Sequence, residues 1–94
     1  MAEIIEAQHQ LELICYRLAA ERRTEAHLAE MKSELETQRD PNLSDVNFCA
    51  SDVRFHRAIV NATKNPFLQF VMVAVIEALL PIANMVEFQF RDAN

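Results

Sequence analysis

Ninety-four residues allow one small domain, and a chain this short buries too little surface to be more than marginally stable. With 51% apolar residues, no Gly and three Pro, it holds many helix-formers and few turn-formers, which excludes a strand-rich fold and predicts an all-α chain with short connections. The net charge of −5, with nine scattered basic residues, argues against direct nucleic-acid binding.

The first helix is expected from Ala2 to about Arg23, where Ile4, Leu11, Ile14 and Leu18 recur at spacings of three, four and seven, with Ala7 and Cys15 beside them. Thr24 then has the chemistry of an N-cap, its hydroxyl accepting an amide of residue 26 or 27. Behind it Leu28, Met31 and Leu35 repeat at helical spacing to about Gln38. Glu25, Glu30, Lys32, Glu34 and Glu36 on the other faces read as a solvated surface.

Asp40-Pro41-Asn42 marks a loop, because proline forces the residue before it out of helical geometry. Ser44 caps a third helix expected to end at Lys64. On its wheel, with Asp52 at zero and about 100° per residue, Phe48, Phe55, Ile59 and Ala62 lie within about 80° on one side and His56 at about 40° on the other. Arg54, Arg57, Asn61 and Lys64 fall on the opposite face. Asp52 and His56 thus stand near the dry side of a helix that has an ample wet one, and either satisfy each other there or bind something else.

Asn65-Pro66 is a cap followed by a favoured first helical residue, and a fourth helix follows. From Phe67 to Leu80 it is apolar nearly all round, so more than one neighbour must cover it. Pro81 is expected to kink it, since its ring crowds the carbonyl of Glu77. The apolar run from Phe67 to Val86 approaches the length of a membrane span, but Gln69, Glu77, Pro81 and Asn84 interrupt it, which favours a buried or interfacial helix and no membrane. Such an excess of apolar surface predicts a homodimer or higher homo-oligomer, in which Phe67, Phe70, Val71, Val75 and Leu79 are buried mutually, with exchange of helices as one route.

The i, i+4 spacing of Asp52 and His56 suits a hydrogen-bonded pair and equally two ligands of one metal. Cys49, at about 60° on the same wheel, makes a Cys-Asp-His trio sterically conceivable, though a small buried hydrophobe is its ordinary role. A catalytic reading of that trio names no general base, oxyanion donor or substrate pocket. His9 and His27 have no partner at metal spacing. Ser44 and Ser51 lack the turn of an activated nucleophile, and a chain without Gly has no phosphate loop. Two isolated cysteines, Cys15 and Cys49, read as free thiols in a cytoplasmic protein.

The run Asp52-Val53-Arg54-Phe55-His56-Arg57-Ala58-Ile59-Val60-Asn61-Ala62-Thr63-Lys64-Asn65-Pro66-Phe67-Leu68 resembles the D-x-x-F-H-x-x-I-x-x-A-x-x-N-P signature of the FCD domain, the effector-binding part of FadR-type regulators in the GntR family. Glu6-Ala7-Gln8, Leu11-Glu12 and Leu18-Ala19-Ala20-Glu21-Arg22 resemble that family's opening helix. The resemblance implies a dimerising antiparallel bundle of six or seven helices that binds a small carboxylate, often beside a divalent metal such as zinc or nickel. It also implies that Asp52 and His56 are metal ligands, completed in the family by two histidines from later helices. No histidine follows His56, so the expectation for residues 1–94 is a partial FCD-type domain of four helices with half of a metal shell and no winged helix-turn-helix. Gln8, standing where the family often has arginine, and Asn65 of the signature are the expected effector-binding positions. The alternative is a purely structural helical dimerisation module without metal or effector.

Overall fold

The computed structural model describes the backbone of residues 2–93 and side chains as far as Gln89. Four helices follow one another: α1 (Ala2–Arg22), α2 (Glu25–Gln38), α3 (Asp45–Ala62) and α4 (Pro66–Ala93). The described residues contain no strand, as the composition predicts. Helix α3 is the centre of the bundle: α1, α2 and α4 all pack against it, while α1 and α4 meet only sparingly.

Local chemistry explains where each helix begins. Thr24 caps α2 by accepting the His27 amide at 3.3 Å, and His27 returns the bond, its Nδ1 accepting the Thr24 amide at 3.0 Å. His27 is therefore part of a capping box. Ser44 Oγ accepts the Asn47 amide at 3.1 Å to start α3. Asn65 Oδ1 accepts the amides of Phe67 and Leu68 at 3.0 and 3.1 Å to start α4.

Helix α3 stops at Ala62, two residues short of the expected Lys64, because Thr63 folds back on Val60 and Lys64 enters the left-handed region at φ 52°. A non-glycine residue there carries about 1–2 kcal/mol of steric cost, which a chain without glycine accepts. Arg22 relieves the orphan carbonyls of this end, its guanidinium donating to the Thr63 carbonyl at 2.9 Å. Lys64→Gly is expected to raise stability by about 0.5–1 kcal/mol, read as a higher urea midpoint with unchanged slope.

Three helices build the core. Cys15 and Ala19 of α1, Ile59, Val60 and Ala62 of α3, and Met72, Ile76 and Leu80 of α4 form one buried cluster, with Leu11, Met31, Val53, Phe55, Leu68 and Val75 packed on it. Phe48 and Phe88 meet edge to face at 5.7 Å and close the far end. Ser51, fully buried, pins α3 to α2 by donating to the Glu34 carboxylate at 2.9 Å and accepting from Gln38 at 3.2 Å. Glu34 is accordingly not on a solvated face as its charge pattern predicts. It is mostly buried and takes Arg54 Nε at 2.9 Å, a bond that, with the Ser51 bond, outweighs burial and holds its carboxyl below the usual range.

Helix α4 runs unbroken through Pro81 to Ala93. It turns one row inward, Met72, Ile76, Leu80, Asn84 and Phe88 at intervals of four. Its other faces are left open. Phe67 and Phe70 are 73% and 81% exposed, and Ile82, Met85 and Val86 are exposed as well. Val71, Val75 and Leu79 are half-covered. Pro66–Gln89 has the length and mean hydropathy, 2.0, to cross a membrane. Yet Glu77 pairs with Arg57 at 3.3 Å and Asn84 with Asp52 at 3.0 Å, so these two polar residues are tied to the bundle.

Candidate effector and metal site

The polar centre of the molecule lies where α3 faces α1 and α4. Asp52 and His56 stand one turn apart, with side chains 15% and 17% exposed. His56 Nδ1 lies 2.8 Å from the Asp52 main-chain carbonyl and 3.4 Å from Asp52 Oδ1. A carbonyl oxygen only accepts, so Nδ1 carries a proton, and in its neutral form the ring has its lone pair on Nε2. Phe55 stands edge-on to the imidazole at 5.6 Å. From α4, the Asn84 amide donates to Asp52 Oδ2 at 3.0 Å.

The electrostatics follow from this arrangement. Burial pushes the Asp52 carboxyl up, but the hydrogen bonds from His56 and Asn84 and the charge of His56 outweigh it and hold the carboxyl below its ordinary range. Burial pushes His56 down, while its bonds to the Asp52 carboxylate and carbonyl and the charges of Asp52 and Glu12 carry it above its ordinary value. Glu12 thus acts on the site from α1. It is in turn held by Gln8, whose amide donates to Glu12 Oε1 at 3.0 Å. Burial, Glu12 and Asp52 together raise the Tyr16 phenol.

The expected site residues are therefore partly gathered. Asp52 and His56 are paired, and Gln8 is linked to them through Glu12. Gln8 also lines two clefts between α1 and α4, one of about 290 Å³ with Val75 and Leu79 in its wall and one of about 350 Å³ with Ile82 and Val86. Asn65 lies outside α3, in the turn before α4, with its side-chain oxygen engaged in capping α4. Cys49 is a half-buried free thiol, and no group of three or more His, Cys, Asp or Glu able to hold a metal exists among the described residues. The Cys49-Asp52-His56 trio does not form.

A divalent metal fits this donor set in part. An imidazole with Nε2 available and a carboxylate kept ionised are suitable zinc or nickel ligands, and the Nδ1 bond to a carbonyl is the usual way of orienting such a ring. Two ligands are half of a tetrahedral shell. Asn84 and Glu12 are not among the expected site residues: Glu12 enters the sequence reading only through the opening-helix resemblance and Asn84 only as an interruption of the apolar run. Asn84 carries a detectable signal, since it is a polar residue in phase with the apolar positions Met72, Ile76, Leu80 and Phe88. Glu12 carries none.

Comparison with known proteins gives the family of the chain. A family model described as the FCD domain matches residues 3–93. The galactonate operon transcriptional repressor of Escherichia coli (strain K12) is 33% identical over 70 residues, which cover 74% of this chain and 31% of that protein. The chain therefore spans about a third of the length of that relative. No solved structure matches it.

Proposed function

We propose a ligand-sensing function from one premise: this chain belongs to the FCD domain family. Its relative is a transcriptional repressor, so its role is regulatory rather than catalytic. In our reading it is the effector-binding and dimerisation part of a cytoplasmic GntR-type regulator of the FadR subfamily. The observation that carries this is the placement of one ionised carboxylate, one oriented imidazole and one amide at the junction of α3 with α4.

The ligand class is a small carboxylate. Asp52 and His56 would hold one side of a divalent metal, zinc or nickel, whose positive charge offsets Asp52 and attracts the anion; its other ligands come from outside the described residues. Gln8 offers the effector a neutral amide donor from α1 where the family pattern favours a cation, and Asn65 is the more remote candidate contact. Dimerisation uses the open side of α4, with Phe67 and Phe70 at its centre and Val71, Val75 and Leu79 along its edge. Effector binding shifts the balance between two arrangements of the dimer only as far as its affinities for them differ.

Isothermal titration with Zn²⁺, then with galactonate in the presence of the metal, tests this reading. We expect Zn²⁺ to bind with one site per chain and His56→Ala to weaken it at least tenfold. Retention of full Zn²⁺ affinity by His56→Ala would remove the metal from this site. Light scattering separates the other reading, a structural dimerisation module, which the exposed Phe67 and Phe70 favour: a dimer that binds neither probe and becomes monomeric on Phe70→Glu is that module.

A further inference from the structure

Asp52 has two contacts on its carboxylate, and they are unequal. His56 Nδ1 is 3.4 Å from Oδ1 while spending its proton on the main-chain carbonyl at 2.8 Å. A hydrogen bond at 3.4 Å constrains little, and the terminal torsion of an aspartate is broad. The Asn84 amide, at 3.0 Å from Oδ2, is the closer contact and comes from another helix. His56 therefore does not set the plane of this carboxylate.

The position of Asn84 supports the same conclusion. It lies in the inward row of α4, 7% exposed, between Leu80 and Phe88, which are buried hydrophobes. An amide in such a row is strongly disfavoured unless it is paired, and a leucine would continue the row without that penalty. Because a carboxylate only accepts, the atom facing it is the nitrogen, so the direction of the bond is fixed by chemistry.

We propose that Asn84 is the positioning residue of the site: it fixes the orientation of the Asp52 carboxylate, leaves Oδ1 for the ligand, and makes α4 part of the sensing unit. This rests on the reading of Asp52 and His56 given above. A change at Asp52 then reaches α4 directly, and α4 is the helix whose outer face is open to a partner. The link is one hydrogen bond between residues 32 positions apart.

Zn²⁺ titration of the whole chain tests this with Asn84→Leu, which keeps the apolar row filled, and Asn84→Ala. Both are expected to weaken Zn²⁺ binding by about 10- to 100-fold with helical circular dichroism unchanged. Affinity within twofold of the wild type in either folded variant overturns the proposal. If the wild type itself binds no Zn²⁺, the metal reading fails separately, and the ¹³Cγ resonance of Asp52 decides the positioning role. It is expected to move in both Asn84 variants, and an unmoved resonance overturns it. Should neither variant fold, the wild-type Asn84 side-chain amide decides. One slowly exchanging amide proton that is lost in Asp52→Ala supports the proposal, and two freely exchanging ones overturn it.

Discussion

Asp52→Ala is expected to lower stability by about 1–3 kcal/mol near pH 6, because it strips a buried amide and an imidazole of a charged partner. The loss depends on pH in a direction set by the two shifts. His56 is raised in the folded state, so its contribution is complete below the unfolded value of about 6.5 and fades as pH rises through the higher folded value. Asp52 is lowered, so its contribution is present above about 3.9 and fades as pH falls through the lower folded value. The pair therefore stabilises most between roughly pH 4 and 6.5. Glu12, facing from α1, adds to the rise of His56, and Asn84, from α4, to the fall of Asp52. Urea unfolding of both proteins from pH 3 to 9 should show the difference greatest in that window and smaller above pH 8. An acid limb due to Glu34, held low chiefly by Arg54, should survive in the variant. Parallel curves across the whole range would mean that the pair carries no linked proton.

The secondary structure was legible because its signals are local. Thr24, Ser44 and Asn65 act within three residues of themselves, and each caps the helix that its chemistry predicts. The end of α3 was misplaced because no glycine marks it; the left-handed turn falls on Lys64, which has no sequence signature for that conformation. Pro81 is expected to kink α4, and the helix does not end there: it continues through the proline to Ala93. Arg54, Arg57, Asn61 and Lys64, which the wheel places on the outward side, are all exposed.

The site was legible only within one helix. Asp52 and His56 share α3, so an i, i+4 rule finds them, and the family signature adds a reason for them. Asn84 and Glu12 reach the same place from α4 and α1, and no periodicity relates residues on different helices. For the same reason the charge pattern of α2 does not reveal the burial of Glu34. Its neighbours in sequence are charged and exposed, and only the packing of α2 on α3 brings Ser51 and Arg54 to it. Charge patterning describes a helix in isolation, whereas burial of a carboxylate depends on which helix lies opposite.

Met72→Ala is expected to cost about 2–5 kcal/mol. Met72 is 1% exposed and is the largest of the fully buried side chains. It sits in the cluster with Cys15 and Ala19 of α1 and Ala62 of α3, small residues that cannot expand into the space its removal leaves. The cavity term therefore adds to the loss of transfer free energy. Against a total stability of about 5–15 kcal/mol for a domain of this kind, such a loss brings the folded state close to its limit. At about 4–8 °C per kcal/mol, melting should fall by about 8 °C or more. Phe70→Ala is the matching control, because a side chain 81% exposed contributes little to the fold of one chain. If chains associate through α4, Phe70→Ala should instead make the melting temperature less dependent on protein concentration than that of the wild type. A Met72→Ala variant within 1 kcal/mol of the wild type would mean that α4 does not seal the core through its inward row. The placement of Asn84 against Asp52 would fall with it, since both residues belong to that row.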